Sequence, residues 1–162
     1  KTLCGKFRPG HFKGVVNVVN RFIDIIKPQK IFLGSKDFQQ LSLIKLHIAK
    51  NKIQTKIISC PTIRTRNGVA LSSRNIKLSK NQTQKAAKIF YYLKNIKKNL
   101  ISRNLSILKL KIIKKIISIG AEKIDYLELI NTKTLKPAKK NTQNYNIFIA
   151  YYLGNVRIID NL

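Results

Sequence analysis

The sequence is poor in several residue types. It contains no methionine or tryptophan, two cysteines, two histidines and six acidic residues among 162. Cys4 and Cys60 form no C-x-x-C pair and His11 and His47 are far apart, so we expect free thiols and no zinc site. No apolar run reaches the roughly 18–20 residues of a membrane span, and the start lacks a signal-peptide pattern. These absences favour a cytoplasmic protein, and the 44% hydrophobic content is enough for a packed core.

The missing methionine also bears on where the sequence starts. A translation product normally begins with methionine, whereas this chain begins with Lys1. We therefore expect a fragment or a processed product, whose functional site need not be complete.

Positive charge is in large excess. The chain has 33 Lys and Arg residues against six Asp and Glu, a formal net charge of +27. One interpretation is a basic nucleic-acid-binding module that stacks bases on Tyr91, Tyr92, Tyr151 and Tyr152. The other is codon drift, because Lys, Ile and Asn have A+T-rich codons and the lysines are spread along the chain. We favour drift, and we expect the tyrosines to pack, since they lie within apolar patterns.

The first part of the chain has the pattern of a strand–helix–strand unit. Residues 8–14 predict a turn-rich entry, followed at 15–26 by helical apolar spacing for which a strand is the alternative. Residues 30–34 predict a short buried strand, 37–51 a helix and 55–60 a second strand. Such a unit implies two parallel strands joined by a right-handed crossover.

The second part has a different pattern. Ser79 and Gln82 have the spacing of a helix capping box, and two apolar helical stripes follow with a break near Asn104. The second stripe ends at Gly120. Three extended segments then close the chain, with Gly154-Asn155 as a hairpin turn, at residues 123–131, 145–153 and 156–160. Helices followed by such strands predict a small α+β domain with an antiparallel sheet.

Two polar clusters lie where α/β folds bind ligands. The lysine motif, Gly34-Ser35-Lys36-Asp37-Phe38-Gln39-Gln40, stands between the first predicted strand and the helix, beyond the carboxyl end of the strand. The serine–arginine motif, Asn67-Gly68-Val69-Ala70-Leu71-Ser72-Ser73-Arg74-Asn75, offers hydroxyls and a guanidinium for phosphate oxygens. Taken singly, each is also typical of a capped helix start or a solvated turn.

The side chains of the lysine motif suit a nucleotide. Lys36 suits a phosphate, and Asp37 can accept hydrogen bonds from ribose hydroxyls. Gln39 and Gln40 are about 100° apart on a helix, so only one of them can face a given pocket.

Four motifs in this order resemble the pantoate–β-alanine ligase (pantothenate synthetase) family. The family's Gly-Glu-Lys-Asp-(Phe/Tyr)-Gln-Gln is matched at residues 34–40, and its Asp-Gly-x-Ala-x-Ser-Ser-Arg-Asn at 67–75. Its Arg-Pro-Gly-His-Phe-x-Gly-Val is matched at 8–15, and its Leu-Gly-x-x-Arg-x-Ile-Asp-Asn at 153–161. The match is specific because the four motifs together span the chain.

The resemblance implies a fold and an extent. Residues 1–74 would be the back half of a Rossmann-like nucleotide-binding domain, and residues 75–162 a C-terminal α+β lid domain. The chain would cover rather more than the second half of a family member and would lack its ATP-activating H-x-G-H motif. We therefore expect no turnover from this chain alone. Two departures from the family, Ser35 in place of Glu and Asn67 in place of Asp, each remove a negative charge.

The resemblance also implies a two-step ligation. ATP and pantoate form pantoyl adenylate and pyrophosphate, and β-alanine then attacks to give pantothenate and AMP. Lys36, Ser72, Ser73 and Arg74 would be catalytic. The ATP site, with Mg²⁺ on the triphosphate, would be lined by Gly34, Ser35, Lys36, Asp37, Ile63, Leu71, Ser72, Ser73 and Arg74.

Individual roles follow by position. Lys36 would hold phosphate, Asp37 would lie near the ribose, Ile63 would touch the adenine, and Gln40 would contact pantoate. A full-length family member would be a homodimer.

Overall fold

Helices and strands cover most of the described residues, which are 3–97, 105–138 and 144–162 of the computed structural model. The chain divides into two units, Lys1–Thr62 and Ile63–Leu162. The predicted domain boundary between residues 74 and 75 lies inside the second unit and stays a prediction.

The first unit is built around two parallel strands. Its elements are, in chain order, α1 (Cys4–Phe7), α2 (His11–Ile26), β1 (Lys30–Gly34), a 3₁₀ turn (Ser35–Asp37), α3 (Phe38–Lys50) and β2 (Lys56–Cys60). Lys30 lies opposite Lys56 and Gly34 opposite Cys60 in a parallel register. The predicted strand–helix–strand unit is therefore confirmed, and residues 15–26 form a helix rather than a strand.

Two local predictions in this unit were wrong. The entry turn ends before His11, because Gly10 adopts a left-handed conformation with φ of 76° and accepts a hydrogen bond from the Gly14 N–H at 3.1 Å. Strand β1 is also not buried on both faces. Ile31 and Leu33 pack towards a cluster of Ile23, Ile44 and Ile48, whereas Phe32 points the other way and is 65% exposed.

The second unit places two helices against an antiparallel sheet. Its elements are a 3₁₀ turn (Ser73–Lys77), α4 (Lys80–Lys97), α5 (Leu105–Ile119), β3 (Lys123–Asn131), β4 (Tyr145–Leu153) and β5 (Val156–Asn161). The strands pair in the order β3-β4-β5, both pairs antiparallel, which confirms the predicted sheet. The fold class is accordingly α/β, a parallel pair of strands followed by helices and an antiparallel sheet.

The predicted capping box, helix end and hairpin turn of this unit agree with the structure, while β5 ends at Asn161, one residue later than predicted. The Ser79 hydroxyl accepts from the Gln82 N–H at 3.2 Å, and the Gln82 side chain accepts from the Ser79 N–H at 2.9 Å, which completes the capping box. Helix α5 ends before Gly120, whose φ is 118°. Leu153 pairs with Val156 across Gly154-Asn155. The predicted break near Asn104 lies outside the described residues.

The core of the second unit lies between its helices and its sheet. Its members are apolar side chains of α4, α5, β3 and β4 together with Val69, and the most deeply buried are Ala86, Ile89, Leu93, Ile112, Ile116, Leu127, Ile147, Ile149 and Leu153. Tyr151 is 3% exposed, and burial, with the nearby Asp160 carboxylate second, raises the pKa of its phenol. Packing is thus confirmed for Tyr151, whereas Tyr91 is 45% exposed with its ring edge-on to Phe90.

Two further properties concern the whole described chain. Cys4 and Cys60 are both free thiols, as expected. Within residues 3–97, 105–138 and 144–162, no helix combines the length and apolar character needed to cross a membrane.

Candidate active site

The lysine motif occupies the carboxyl end of the parallel strands. Gly34 is the last residue of β1 and pairs with Cys60 at the end of β2. Ser35, Lys36 and Asp37 form the 3₁₀ turn that leads into α3. This edge, with a helix start beside it, is where open α/β sheets bind their ligands.

The three polar residues of this turn are held differently. The hydroxyls of Ser35 and Thr62 are 3.2 Å apart, which links the segments that follow the two strands. Ser35 does not cap a helix, because the residues at the two N-cap positions are Gly34, before the 3₁₀ turn, and Asp37, before α3. Lys36 is half-buried and Asp37 is exposed, so the carboxylate is accessible to a ligand.

Gln39 and Gln40 border two different grooves, as their helical spacing requires. Gln40 lines a groove of about 550 Å³ whose other residues belong to the start of α2, among them Gly14 and Val15. Gln39 lines a groove of about 360 Å³ together with Arg8 and Lys13. Of the two amides, Gln40 therefore faces the largely apolar groove, and Gln39 faces the groove that two basic side chains border.

The serine–arginine motif begins in a small hairpin. Arg64 and Ala70 form an antiparallel bridge, and the Leu71 N–H donates to the Ile63 carbonyl at 2.9 Å. Directly opposite residues point to the same face of a strand pair, so Ile63 and Leu71 share one face. Their side chains are 69% and 50% exposed, whereas Ala70 is 5% exposed. The hairpin thus presents two apolar side chains side by side.

A glycine at the tip of this hairpin is required by its surroundings. Gly68 has φ of 81°, and a Cβ at this position would lie 2.2 Å from Cδ1 of Phe90 in α4. The backbone therefore passes directly over the Phe90 ring, which only glycine permits.

The polar end of the motif forms the 3₁₀ turn of the second unit. The Ser72 hydroxyl accepts from the Arg74 N–H at 3.2 Å and caps the turn, while the Asn75 side chain donates to the Ala70 carbonyl at 3.0 Å. Ser73 and Arg74 are exposed. Two hydroxyls and a guanidinium are thus gathered on one turn with a defined backbone.

The predicted site residues belong to both units. The structure brings Gly34, Ser35, Lys36, Asp37 and Gln40 together in the first unit. It brings Ile63, Leu71, Ser72, Ser73 and Arg74 together in the second.

Sequence reasoning missed the partners that hold these groups. Arg64 forms an ion pair with Asp160 at 2.7 Å, although the two residues are 96 positions apart. The one signal in the sequence was the small number of acidic residues, because each of the six carboxylates in so basic a chain is expected to form an ion pair. The residues around Asp160 do not indicate which of the 33 Lys and Arg side chains pairs with it.

The C-terminal motif at residues 153–161 makes polar contacts with the neighbouring strands. Arg157 Nε donates to Asp125 at 2.7 Å, and the Asp125 side chain is 3% exposed. The Asn161 side chain lies 3.3 Å from Asn146 across β4 and β5. These contacts fasten β5 to β3 and β4.

Metal ligands are sparse in this part of the chain. Across the described residues, no three His, Cys, Asp or Glu side chains gather as a metal-binding group. A Mg²⁺ ion that accompanies a nucleotide keeps several waters and binds mainly through phosphate oxygens, which is compatible with a lone Asp37.

Comparison with known proteins identifies relatives along the whole chain. A profile of the pantoate-β-alanine ligase family matches residues 1–162. The pantothenate synthetase of Clostridioides difficile (strain 630) is 41% identical over 161 residues, which is 98% of this chain and 57% of the relative. That of Thermotoga petrophila is 37% identical over 164 residues, 99% of this chain and 58% of the relative.

Solved structures give the same result. The structure of pantothenate synthetase from Thermus thermophilus matches with a TM-score of 0.87 at 28% identity, over 99% of this chain and 58% of that one. Pantoate-β-alanine ligase from Francisella tularensis, complexed with β-γ ATP and β-alanine, matches with a TM-score of 0.76 at 40% identity, over 99% and 53%. The chain therefore spans somewhat more than half the length of the relatives that it matches.

Proposed function

The chain belongs to the pantoate-β-alanine ligase family, and from that premise we propose that it serves the ATP-dependent ligation of pantoate and β-alanine to pantothenate. The observation that carries this proposal is the position of Lys36 and Asp37, on a turn at the carboxyl end of two parallel strands. The complex of the Francisella tularensis relative with β-γ ATP and β-alanine supports the substrates.

The first step joins pantoate to AMP. A pantoate carboxylate oxygen attacks the α-phosphorus of ATP, the bond to the β-phosphate oxygen breaks, and pyrophosphate leaves. Negative charge develops on the leaving group, so cations and fixed donors are needed there. We assign this role to Lys36, to Arg74 and to the hydroxyls of Ser72 and Ser73.

The remaining predicted residues bind the substrates. Ile63, which is exposed, would touch the adenine ring, and Leu71 beside it would close over the phosphates together with residues 72–74. Asp37 would accept from ribose hydroxyls, beside Gly34 and Ser35, and Gln40 would bind pantoate from its groove. In the second step the β-alanine amine attacks the acyl carbon of pantoyl adenylate, and AMP leaves with the electron pair of the broken C–O bond.

Further features of the family are proposed on the same basis. ATP would enter as its magnesium complex, and the full-length protein would act as a homodimer in the cytoplasm. The division into a nucleotide-binding domain at 1–74 and a lid at 75–162 is likewise part of the proposal.

The test uses a chimera, because the chain spans only part of its relatives. Residues 1–162 replace the matching segment of the Clostridioides difficile relative, and pantothenate and AMP are measured with ATP, pantoate and β-alanine present. We expect both products in equal amounts, and none when any substrate is left out.

The residue assignment is tested in the same chimera. Lys36→Ala should slow adenylation on the order of 10²–10³-fold, the usual loss for one donor to a developing charge. Lys45→Ala, which removes an exposed lysine of α3, is the matched control and should retain the parent rate. A chimera without ATP-dependent pantothenate formation, beside an active parent relative, would contradict the proposed function. An unchanged rate for Lys36→Ala would contradict the role of Lys36 alone.

A further inference from the structure

Arg64, in the hairpin where the serine–arginine motif begins, contacts several other elements of the second unit. Its two terminal nitrogens form a fork on Asp160, with Nη1 2.7 Å from Oδ2 and Nη2 2.9 Å from Oδ1. Nη1 also donates to the Gly68 carbonyl at 3.0 Å, and Nη2 to the Asn161 carbonyl at 3.1 Å. The guanidinium carbon lies 4.3 Å from the centre of the Phe90 ring. One side chain thus connects the hairpin, β5 and α4.

These contacts act on the hairpin that leads to the serine–arginine motif. The hairpin is also held by hydrogen bonds from the Thr65 N–H to the Val69 carbonyl at 2.9 Å and from the Gly68 N–H to the Thr65 carbonyl at 2.8 Å, and by the burial of Val69 in the core of the second unit. Gly68 lies against the same Phe90 ring on which Arg64 stacks. The face of the hairpin that bears Arg64 is therefore held against α4 and β5.

The opposite face carries the groups assigned to the nucleotide. Arg64 and Ala70 point to one side of the hairpin, so Ile63 and Leu71 point to the other. The Ala70 carbonyl in turn accepts from Asn75, which joins the hairpin to the turn that bears Ser73 and Arg74. A shift of Arg64 would move both the apolar pair and the polar turn.

We propose that Arg64, held by Asp160 and Phe90, is a positioning residue that sets the hairpin and the Ser72–Arg74 segment in the geometry needed for ATP, an inference that rests on the proposed function. Arg64 touches no reacting atom in this role. It needs the planar fork of arginine, because a lysine ammonium cannot hold Asp160 bidentately, two carbonyls and a ring face at once.

The structure supplies a matched control for a merely stabilising ion pair. Arg157 pairs with Asp125 at 2.7 Å, and its side chain is 15% exposed against 21% for Arg64. Both pairs involve the sheet of the second unit, but only Arg64 contacts the hairpin. Arg64→Lys and Arg157→Lys each keep the charge and remove the planar guanidinium.

The first readout is kinetic, in the chimera with the Clostridioides difficile relative. Arg64→Lys should raise KM for ATP about tenfold and slow adenylation, since small displacements of binding groups are costly, while KM for pantoate stays within twofold. Arg157→Lys should leave KM for ATP and KM for pantoate within twofold, although it lowers the melting temperature about as much as Arg64→Lys does. Equal effects of the two variants on KM for ATP would reduce Arg64 to a structural role and overturn the inference.

The second readout does not require activity and uses the chain itself. Amide hydrogen exchange at Thr65, Gly68 and Leu71 should be at least several-fold faster in Arg64→Lys than in the parent, and unchanged in Arg157→Lys. Unaltered exchange at these amides in Arg64→Lys would overturn the inference. If the chimera is inactive but exchange responds as expected, the proposed function fails and the positioning of the hairpin by Arg64 stands.

Discussion

The two units differ in the size of their buried apolar clusters. Among the described residues, Ile23, Ile44 and Ile48 form the cluster of the first unit, whereas that of the second unit draws on α4, α5, β3 and β4. Phe22, Ile25 and Phe32 of the first unit are 56%, 64% and 65% exposed, while Ile116 and Ile147 of the second are each 0% exposed. The first unit nevertheless carries Lys36 and Asp37 on a regular strand–turn–helix connection. The turn that bears Lys36 and Asp37 is therefore formed beside a small core as well as it would be beside a large one.

The use of acidic residues differs in the same way. In the second unit, Asp125, Glu128 and Asp160 form ion pairs at 2.7 Å, and Glu122 accepts from the Gly154 N–H at 2.9 Å. In the first unit, Asp37 is exposed on the lysine motif. With six carboxylates in a chain of net charge +27, those of the second unit hold strands and loops in place, and Asp37 is left accessible to a ligand.

The largest expected contrast is between core substitutions in the two units. Ile116→Ala should lower the free energy of unfolding by about 4 kcal/mol, because it leaves a cavity in a closed core. Ile25→Ala, at an exposed position of α2, should change it by less than about 0.5 kcal/mol. Urea unfolding followed by circular dichroism measures both, and similar losses for the two variants would contradict the difference in packing.

The next contrast compares two glycines with nearly equal φ angles. Gly68 and Gly10 have φ of 81° and 76°, but only at Gly68 would a Cβ meet a neighbour, the Phe90 ring at 2.2 Å. Gly68→Ala should cost about 3 kcal/mol from strain and displacement of the ring, and Gly10→Ala about 1 kcal/mol from strain alone. Urea unfolding measures the loss of unfolding free energy in both variants. Equal losses would mean that the Phe90 ring moves away from the new methyl group without penalty.

Alkaline pH should weaken the second unit through Tyr151. Burial, and second the Asp160 carboxylate, raise the pKa of this phenol above its ordinary value of 10.0. Above that pH the phenol loses its proton in the unfolded chain but keeps it in the folded chain. The free energy of unfolding is therefore unaffected by Tyr151 below pH 10. As pH rises further, it falls by about 1.4 kcal/mol per pH unit. Burial also raises the pKa of Tyr92 and Tyr145, and it lowers that of Lys97, which has the opposite effect in this range.

The contribution of Tyr151 is isolated by difference. Unfolding free energies of the parent and of Tyr151→Phe are measured from about pH 8 to 11, a range that brackets the ordinary pKa of a phenol, so that Lys97 and the other tyrosines cancel. The parent should lose stability more steeply than the variant above about pH 10. Parallel curves would show that Tyr151 ionises equally well in both states.

The smallest expected effect concerns the capping box. Ser79→Ala removes the hydroxyl that accepts from the Gln82 N–H and should cost about 1 kcal/mol. Ser118→Ala, near the end of α5 where the hydroxyl donates to the Lys115 carbonyl, serves as the control and should cost less than about 0.5 kcal/mol. A neutral Ser79→Ala would show that α4 is fixed by packing alone.

Local features of the fold were predictable because short spacings encode them. The capping box at Ser79 and Gln82, the hairpin turn at Gly154 and the parallel strands on either side of α3 all depend on residues close in sequence. The exposure of Phe32 was not predictable, since a five-residue apolar strand has the same composition whether one or both of its faces are covered.

The residues of the candidate site stay predictions, and the structure shows only where they lie. The motifs name Lys36 and Arg74, and the alternation of a hairpin explains why Ile63 and Leu71 share a face. The pairing of Arg64 with Asp160 spans 96 positions and follows from the packing of α4 and β5 around the hairpin, which no local pattern reports.

We propose that Lys36 and Arg74 both stabilise the leaving pyrophosphate. The most direct test of this claim is ATP–pyrophosphate exchange by the chimera in the presence of pantoate, with Lys36→Ala and Arg74→Ala measured beside Lys45→Ala and Lys77→Ala. We expect exchange to fall about 10²-fold or more in each of the first two variants and to stay within threefold in the two controls. Exchange at the parent rate in either Lys36→Ala or Arg74→Ala would contradict the claim.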